Sequence, residues 1–286
     1  MIREPEHAGS LDGRLQGWGP AERQGGGGED LLAQGVRRSL PEVRYSHPGD
    51  LYARIDHPEF RTAPLSSGCA SRLAPPAAVP PEPRGAAVLV EPAQVAGERL
   101  LLVDLETLGF VGRPVFLVGA LMLEPPRGEP GESASWRGRI IQYLARDYSE
   151  EEGMLAAFLS EAPAAFAWVS FNGRSFDLPS LIIRAAYHRL PMPAAIRHLD
   201  LLPVARRLWG AQLPDCRLQT LEQRICGCAR GGDIEGASIP AAYHAFVRSG
   251  EPWDMLRILQ HNAADLASLW RILREACSAP SSSESP

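Results

Sequence analysis

Asp104 and Glu106 stand two apart with Leu105 between them, at the end of the apolar run Leu100-Leu101-Leu102-Val103. In an extended strand, residues two apart point to one face, so both acids project together while Leu105 turns away. Two such charges repel, and a hard divalent cation that prefers oxygen ligands, Mg2+ or Mn2+, relieves them. The alternative is a strand end turning into solvent, where an acidic pair is ordinary. A third acid, Asp177, lies in Phe171-Asn172-Gly173-Arg174-Ser175-Phe176-Asp177-Leu178-Pro179. It reads either as a partner of the first two or as a helix N-cap, with Pro179 helping to start the first turn. A fourth, Asp265, follows His261 by four residues in a helical segment, so the two share a face. Leu256, Leu259, Ala263, Leu266, Trp270 and Leu273 form an apolar stripe on the opposite side. That leaves the polar face to solvent or to a cleft.

The elements that must position these residues follow from texture. Residues 100–103 and 114–123 have the apolar character of buried strands, and a loop with Gly109 and Gly112 joins them. Residues 139–144 predict a third strand, 150–159 a helix, and 165–171 a fourth strand ending at the turn Asn172-Gly173. Helical spacing covers residues 178–189, 200–209, 218–225, 240–247 and 253–276. Asp200 is expected to cap the helix after it, outside any metal shell. Three strands in succession, then alternation of helix and strand, predict an α/β fold with a mixed sheet covered by helices.

Of the 286 residues 45% are hydrophobic, enough for a core, which excludes a wholly disordered chain. Residues 1–30, with four Gly at 25–28 and few large apolar side chains, are expected to be disordered. Residues 31–61 hold Leu, Val, Tyr and Phe able to dock on a core, and the Pro-rich residues 62–86 read as a linker. The domain boundary is therefore placed near residue 86, giving an extension over 1–86, a folded domain over 87–277 and a loose tail over 278–286. Neither the Gly run nor the loop at Gly109 continues as a phosphate-binding P-loop. Five cysteines make no disulfide framework, no secretory signal opens the chain, and no apolar run approaches the ~20 residues of a membrane span. A cytoplasmic, reducing location is expected, with no membrane partner.

Several further motifs fall in order with the acids. They are Leu102-Val103-Asp104-Leu105-Glu106-Thr107-Leu108-Gly109, Phe116-Leu117-Val118-Gly119, the Asp177 segment above and His198-Leu199-Asp200-Leu201-Leu202. Ala205-Arg206-Arg207-Leu208-Trp209, Ile234-Glu235-Gly236-Ala237-Ser238-Ile239-Pro240 and His261-Asn262-Ala263-Ala264-Asp265 complete them. Together, over residues 99–275, they resemble the YprB-type ribonuclease H-like family of the DEDD 3'-5' exonuclease superfamily. The resemblance implies a ribonuclease H-like mixed sheet of about five strands flanked by helices. It also implies a two-metal phosphodiester hydrolase, a 3'-5' exonuclease acting on RNA or single-stranded DNA with two Mg2+ or Mn2+ ions. By it, Asp104 bridges both ions, Glu106 and Asp265 complete one site, Asp177 acts at the second through bound water, and His261 is the base. The chain departs from the two well-known branches, whose last motif has four residues between His and Asp or three between Tyr and Asp. Here three residues separate His261 from Asp265, so the imidazole takes what looks like the Tyr position.

All 29 basic residues are Arg, against 34 acids, a net charge of −5. Residues 170–230 reverse that balance with nine Arg (174, 184, 189, 197, 206, 207, 217, 224 and 230) against four acids. The segment reads as a path for a phosphate backbone or as ordinary helix surface. Asn172 and Arg174, beside Asp177, are the expected nucleic-acid contacts. Two competing functions stay open: a catalytically weak nucleic-acid-binding module of the same fold, and a scaffold whose N-terminal part recruits a partner.

Overall fold

The structure, a computed structural model, describes residues 31–39, 42, 44–46, 51–62, 86–89, 95, 98–125, 135–162, 166–193, 195–228, 230 and 232–279. The expectations of disorder over 1–30, of a linker and of a loose tail fall mainly outside these residues. The centre of the fold is β5 (Leu100–Thr107), whose apolar residues alternate between two cores. Leu101, Val103 and Leu105 enter one, and Leu100 and Leu102 the other. A strand apolar on both faces needs a cover on each, at about 1.5–3 kcal/mol for every large side chain fully buried.

Antiparallel β6 (Val115–Glu124) and β7 (Trp136–Leu144) follow β5, and β8 (Ala167–Ser170) lies parallel on its other edge. Beyond β8 come β9 (Ala195–Asp200) and then β4 (Ala86–Leu89), both parallel to their neighbours. On the β7 side lie β2 (Ala53–Asp56), β1 (Arg44–Ser46) and β3 (Phe60–Thr62). The order is β1-β2-β7-β6-β5-β8-β9-β4, with β3 also pairing on β7. The helices are α1 (Leu31–Ser39), α2 (Glu151–Glu161), α3 (Asp177–Tyr187), α4 (Leu201–Trp209), α5 (Leu218–Arg224), α6 (Ile239–Ser249) and α7 (Trp253–Ser278). The 26-residue α7 serves both cores, Ile258 and Leu259 in one and Leu266, Leu269 and Leu273 in the other. Among the described residues no helix is long and apolar enough to cross a membrane.

The mixed, helix-flanked sheet is the one expected, with nine strands among the described residues where about five were expected. Residues before the boundary expected near residue 86 also pack on the sheet. Leu32 and Val36 of α1 are buried in the core, and β2 and β3 pair on β7. Arg54 in β2 fixes this attachment, donating to Asp56 Oδ2 at 2.9 Å and to Glu161 Oε1 of α2 at 2.5 Å. These strands have only three or four residues, so even the alternation of Ala53-Arg54-Ile55-Asp56 is too short to mark a strand in the sequence.

Candidate active site

Asp104 and Glu106 leave β5 on the same face, where the helix starts and α7 converge. Asp177 is the first residue of α3 and not its cap; Phe176 holds the cap position without a side-chain hydrogen bond. Its Oδ1 accepts from the backbone N–H of Leu105 at 3.2 Å, which ties α3 to the strand between the two acids. Gly173 permits this approach, since a Cβ there would overlap Ser170 Oγ and lie 3.0 Å from Asp177 Oδ2. Asn172 takes a left-handed φ of 61° to turn the loop. The loop is held by Asp200, which accepts from the backbone N–H of Asn172 at 2.8 Å and of Arg174 at 3.1 Å. Asp200 also caps α4 through Leu202 N at 3.0 Å, as expected, but its grip on the loop is not visible from spacing.

The polar face of α7 turns inward. The side chains of His261 and Asp265 are only 12% and 14% exposed, so a cleft replaces the solvent alternative. Between them in sequence, Asn262 is fully buried and its Nδ2 donates to Asp104 Oδ2 at 2.8 Å.

The electrostatics show that the four acids sense one another. Burial lifts the Asp104 carboxyl well above its usual range, and the charges of Asp265, Glu106 and Asp177 add to that, against the Asn262 hydrogen bond. Glu106 is also lifted well above its usual range, by burial and then by Asp265, Asp177 and Asp233. Asp177 is pushed up to about 7 by burial, opposed by the Leu105 amide. Asp265 is raised by burial, with His261 and Arg230 pulling the other way.

Two residues of the site went unmarked in the sequence. Asp233 Oδ1 lies 2.7 Å from His261 Nδ1, while His261 Nε2 is 3.5 Å from Asp265 Oδ2. Arg230 reaches Asp265 Oδ1 at 2.5 Å and Asp233 Oδ2 at 3.4 Å, and also pairs with Glu222. Both come from an irregular stretch before α6 with no periodic signal; Arg230 was visible only as one of nine basic residues. That basic set divides on folding. Arg184 pairs with Glu151, Arg197 with Glu98 and Arg230 with the site acids. Arg206 and Arg217 line an open groove of about 510 Å³ together with Phe171, Asn172, Asp104 and Asp265. Arg174 is exposed but is not among the groove's lining residues.

Asp104 and Glu106, both half-buried, and Asp177, buried, offer oxygen donors whose charges repel one another, the donor chemistry a hard divalent cation fits. As the side chains stand, no three His, Cys, Asp or Glu among the described residues close around one ion, and Arg230 supplies positive charge at Asp265.

The sequence matches the RNase_H superfamily over residues 101–277, more than half of the chain. It is 32% identical over 176 residues to "Uncharacterized protein YprB" of Bacillus subtilis (strain 168), covering 59% of this chain and 40% of that protein. The chain thus corresponds to less than half of that relative's length. With the acids carried on the strands and helices described above, the chain belongs to the RNase_H superfamily, whose members are generally nucleases.

Proposed function

We propose that the protein is a metal-dependent phosphodiester hydrolase of DEDD type, a 3'-5' exonuclease trimming RNA or single-stranded DNA. The observation that carries this reading is the convergence of acids spread over 162 positions of the chain: Asp177 is tied to the strand between Asp104 and Glu106 through the Leu105 amide, and Asp104 and Asp265 line one groove. Asp104, Glu106, Asp177 and Asp265 would hold two Mg2+ or Mn2+ ions, which when bound activate water, stabilise charge on the phosphoryl group and relieve the leaving oxygen.

The chain's own groups have definable tasks. Asp233 as a carboxylate can only accept, so it places the proton of neutral His261 on Nδ1 and leaves the Nε2 lone pair facing the site. Nε2 is then the atom that would take a proton from the attacking water, with Asp233 as its orienting partner. The Leu105 amide keeps Asp177 beside the Asp104 and Glu106 pair. Arg206, Arg217 and Asn172 in the groove, with Arg174 on the neighbouring loop, would meet sugar and phosphate without reading sequence.

End-labelled single strands incubated with the full chain and Mn2+ test the reading. A ladder from the 3' end is expected; internal fragments would assign endonuclease action, and no metal-dependent product would defeat hydrolysis. A second reading, a binding module with little chemistry, draws on the Arg230 to Asp265 ion pair, which already neutralises one ligand. Strand binding without Mn2+ uptake in calorimetry would favour it.

A further inference from the structure

A run of side-chain hydrogen bonds crosses the fold to Asp104 from outside the segment that matches the family. Asn262 Nδ2 donates to both Asp104 Oδ2 at 2.8 Å and the Asp104 backbone oxygen at 3.1 Å. Its Oδ1 is left to accept, and Gln142 Nε2 donates to it at 2.8 Å. Gln142, also fully buried, uses its other amide proton on the Leu259 carbonyl at 2.8 Å. The Gln142 Oε1 must then accept, and His57 Nε2 lies 2.9 Å away. Each amide has a single orientation that satisfies all its neighbours, which fixes the proton of His57 on Nε2.

Four elements meet in this run: the turn after β2, then β7, α7 and β5. Gly119, opposite Asp104 in the β5–β6 register, makes the room. A Cβ there would overlap Asn262 Oδ1 and come within 2.8 Å of its Cγ and Nδ2. Only a glycine on β6 lets a carboxamide from α7 pass to the acid behind it.

We propose that Asn262, held by Gln142 and His57, is the positioning residue of Asp104, so that residues 53–57 belong to the working site and not to an accessory extension. This rests on the reading of Asp104 as a metal ligand. The run holds the Asp104 carboxylate in one rotamer before any ion arrives, lowering the cost of organising the site. Partners that orient a ligand in this way typically carry a factor of ten or more in metal affinity.

The test uses the full chain and three measurements: Mn2+ calorimetry, melting in a chelator, and NMR exchange of the Asn262 side-chain amide protons without metal. Asn262→Leu, close in volume but without donors, is expected to weaken Mn2+ binding by about tenfold or more. His57→Leu, remote from the acids, is expected to weaken it less and to speed exchange of the Asn262 amide. If Asn262→Leu does not fold, His57→Leu alone decides. Lower melting temperatures with unchanged Mn2+ affinity would make the run a purely structural tie and overturn the proposal. If the wild-type chain takes up no Mn2+, the nuclease reading fails separately. The amide protons then decide: faster exchange in His57→Leu upholds the positioning run, and unchanged exchange overturns it.

Discussion

Glu150 and Glu151 at the start of α2 are buried to 4% and 3% exposure, and each has a guanidinium of its own. Arg146 donates to Glu150 through Nε at 3.0 Å and Nη2 at 2.5 Å. Arg184 grips Glu151 at 2.8 and 2.5 Å, and the Val115 amide adds a bond at 2.9 Å. Asp104 and Glu106 are a similar pair of neighbouring acids, but the groups facing them are chiefly other acids. Where the fold buries carboxylates for its own cohesion it supplies the counter-charge; at the strand end it leaves the repulsion standing. Carboxyls crowded without counter-charge can ionise only at a cost in stability that a structural role does not require, and an arriving cation removes that cost.

The sharpest way to break this contrast is to neutralise one acid from each pair. Asp104→Asn is expected to lower metal-dependent cleavage by about a thousandfold or more while leaving the metal-free melting temperature unchanged or higher. Glu151→Gln is expected to cost about 3–5 kcal/mol of stability in denaturant titrations, because it strands Arg184 in the interior. Equal effects of the two on stability would erase the distinction. Next in size, Mn2+ at a hundred times its dissociation constant is expected to add about 2.7 kcal/mol to wild-type stability and little to Asp104→Asn.

Proton binding offers a third measure. The site carboxyls hold protons more tightly folded than unfolded, so the metal-free protein is expected to lose stability as pH rises. For Asp177 the contribution is complete below its unfolded value of 3.8 and is lost as pH passes about 7. Melting curves from pH 5 to 8 are expected to fall in chelator and to flatten with Mn2+; a rise with pH would contradict the uncompensated site. The smallest effect belongs to the groove: Arg206→Ala and Arg217→Ala are each expected to reduce the salt slope of strand binding by about one.

Much of the site and its supports can be read from the chain, for identifiable reasons. β5 and β6 are buried on both faces and leave continuous apolar runs. The acids on β5 and at the head of α3 carry period and position with them. The inward face of α7 is not legible, because a helical wheel marks which residues share a side and not what that side meets. Asp233 and Arg230 are hidden for another reason: they lie in irregular backbone and reach the site only through the packing of α5, α6 and α7. β9 escapes notice because Arg197 and His198 interrupt its apolar pattern, although Asp200 at its end was already expected to cap α4.

Gly119 contributes no atoms to the chemistry, yet it limits which sequences can keep it. Its missing side chain and the carboxamide of α7 are two halves of one fit, so even alanine on β6 would have to push the long helix off the sheet or evict the amide. Loss of the glycine and the asparagine together is therefore expected to be gentler on folding than loss of the glycine alone, and relatives that retain one are expected to retain the other.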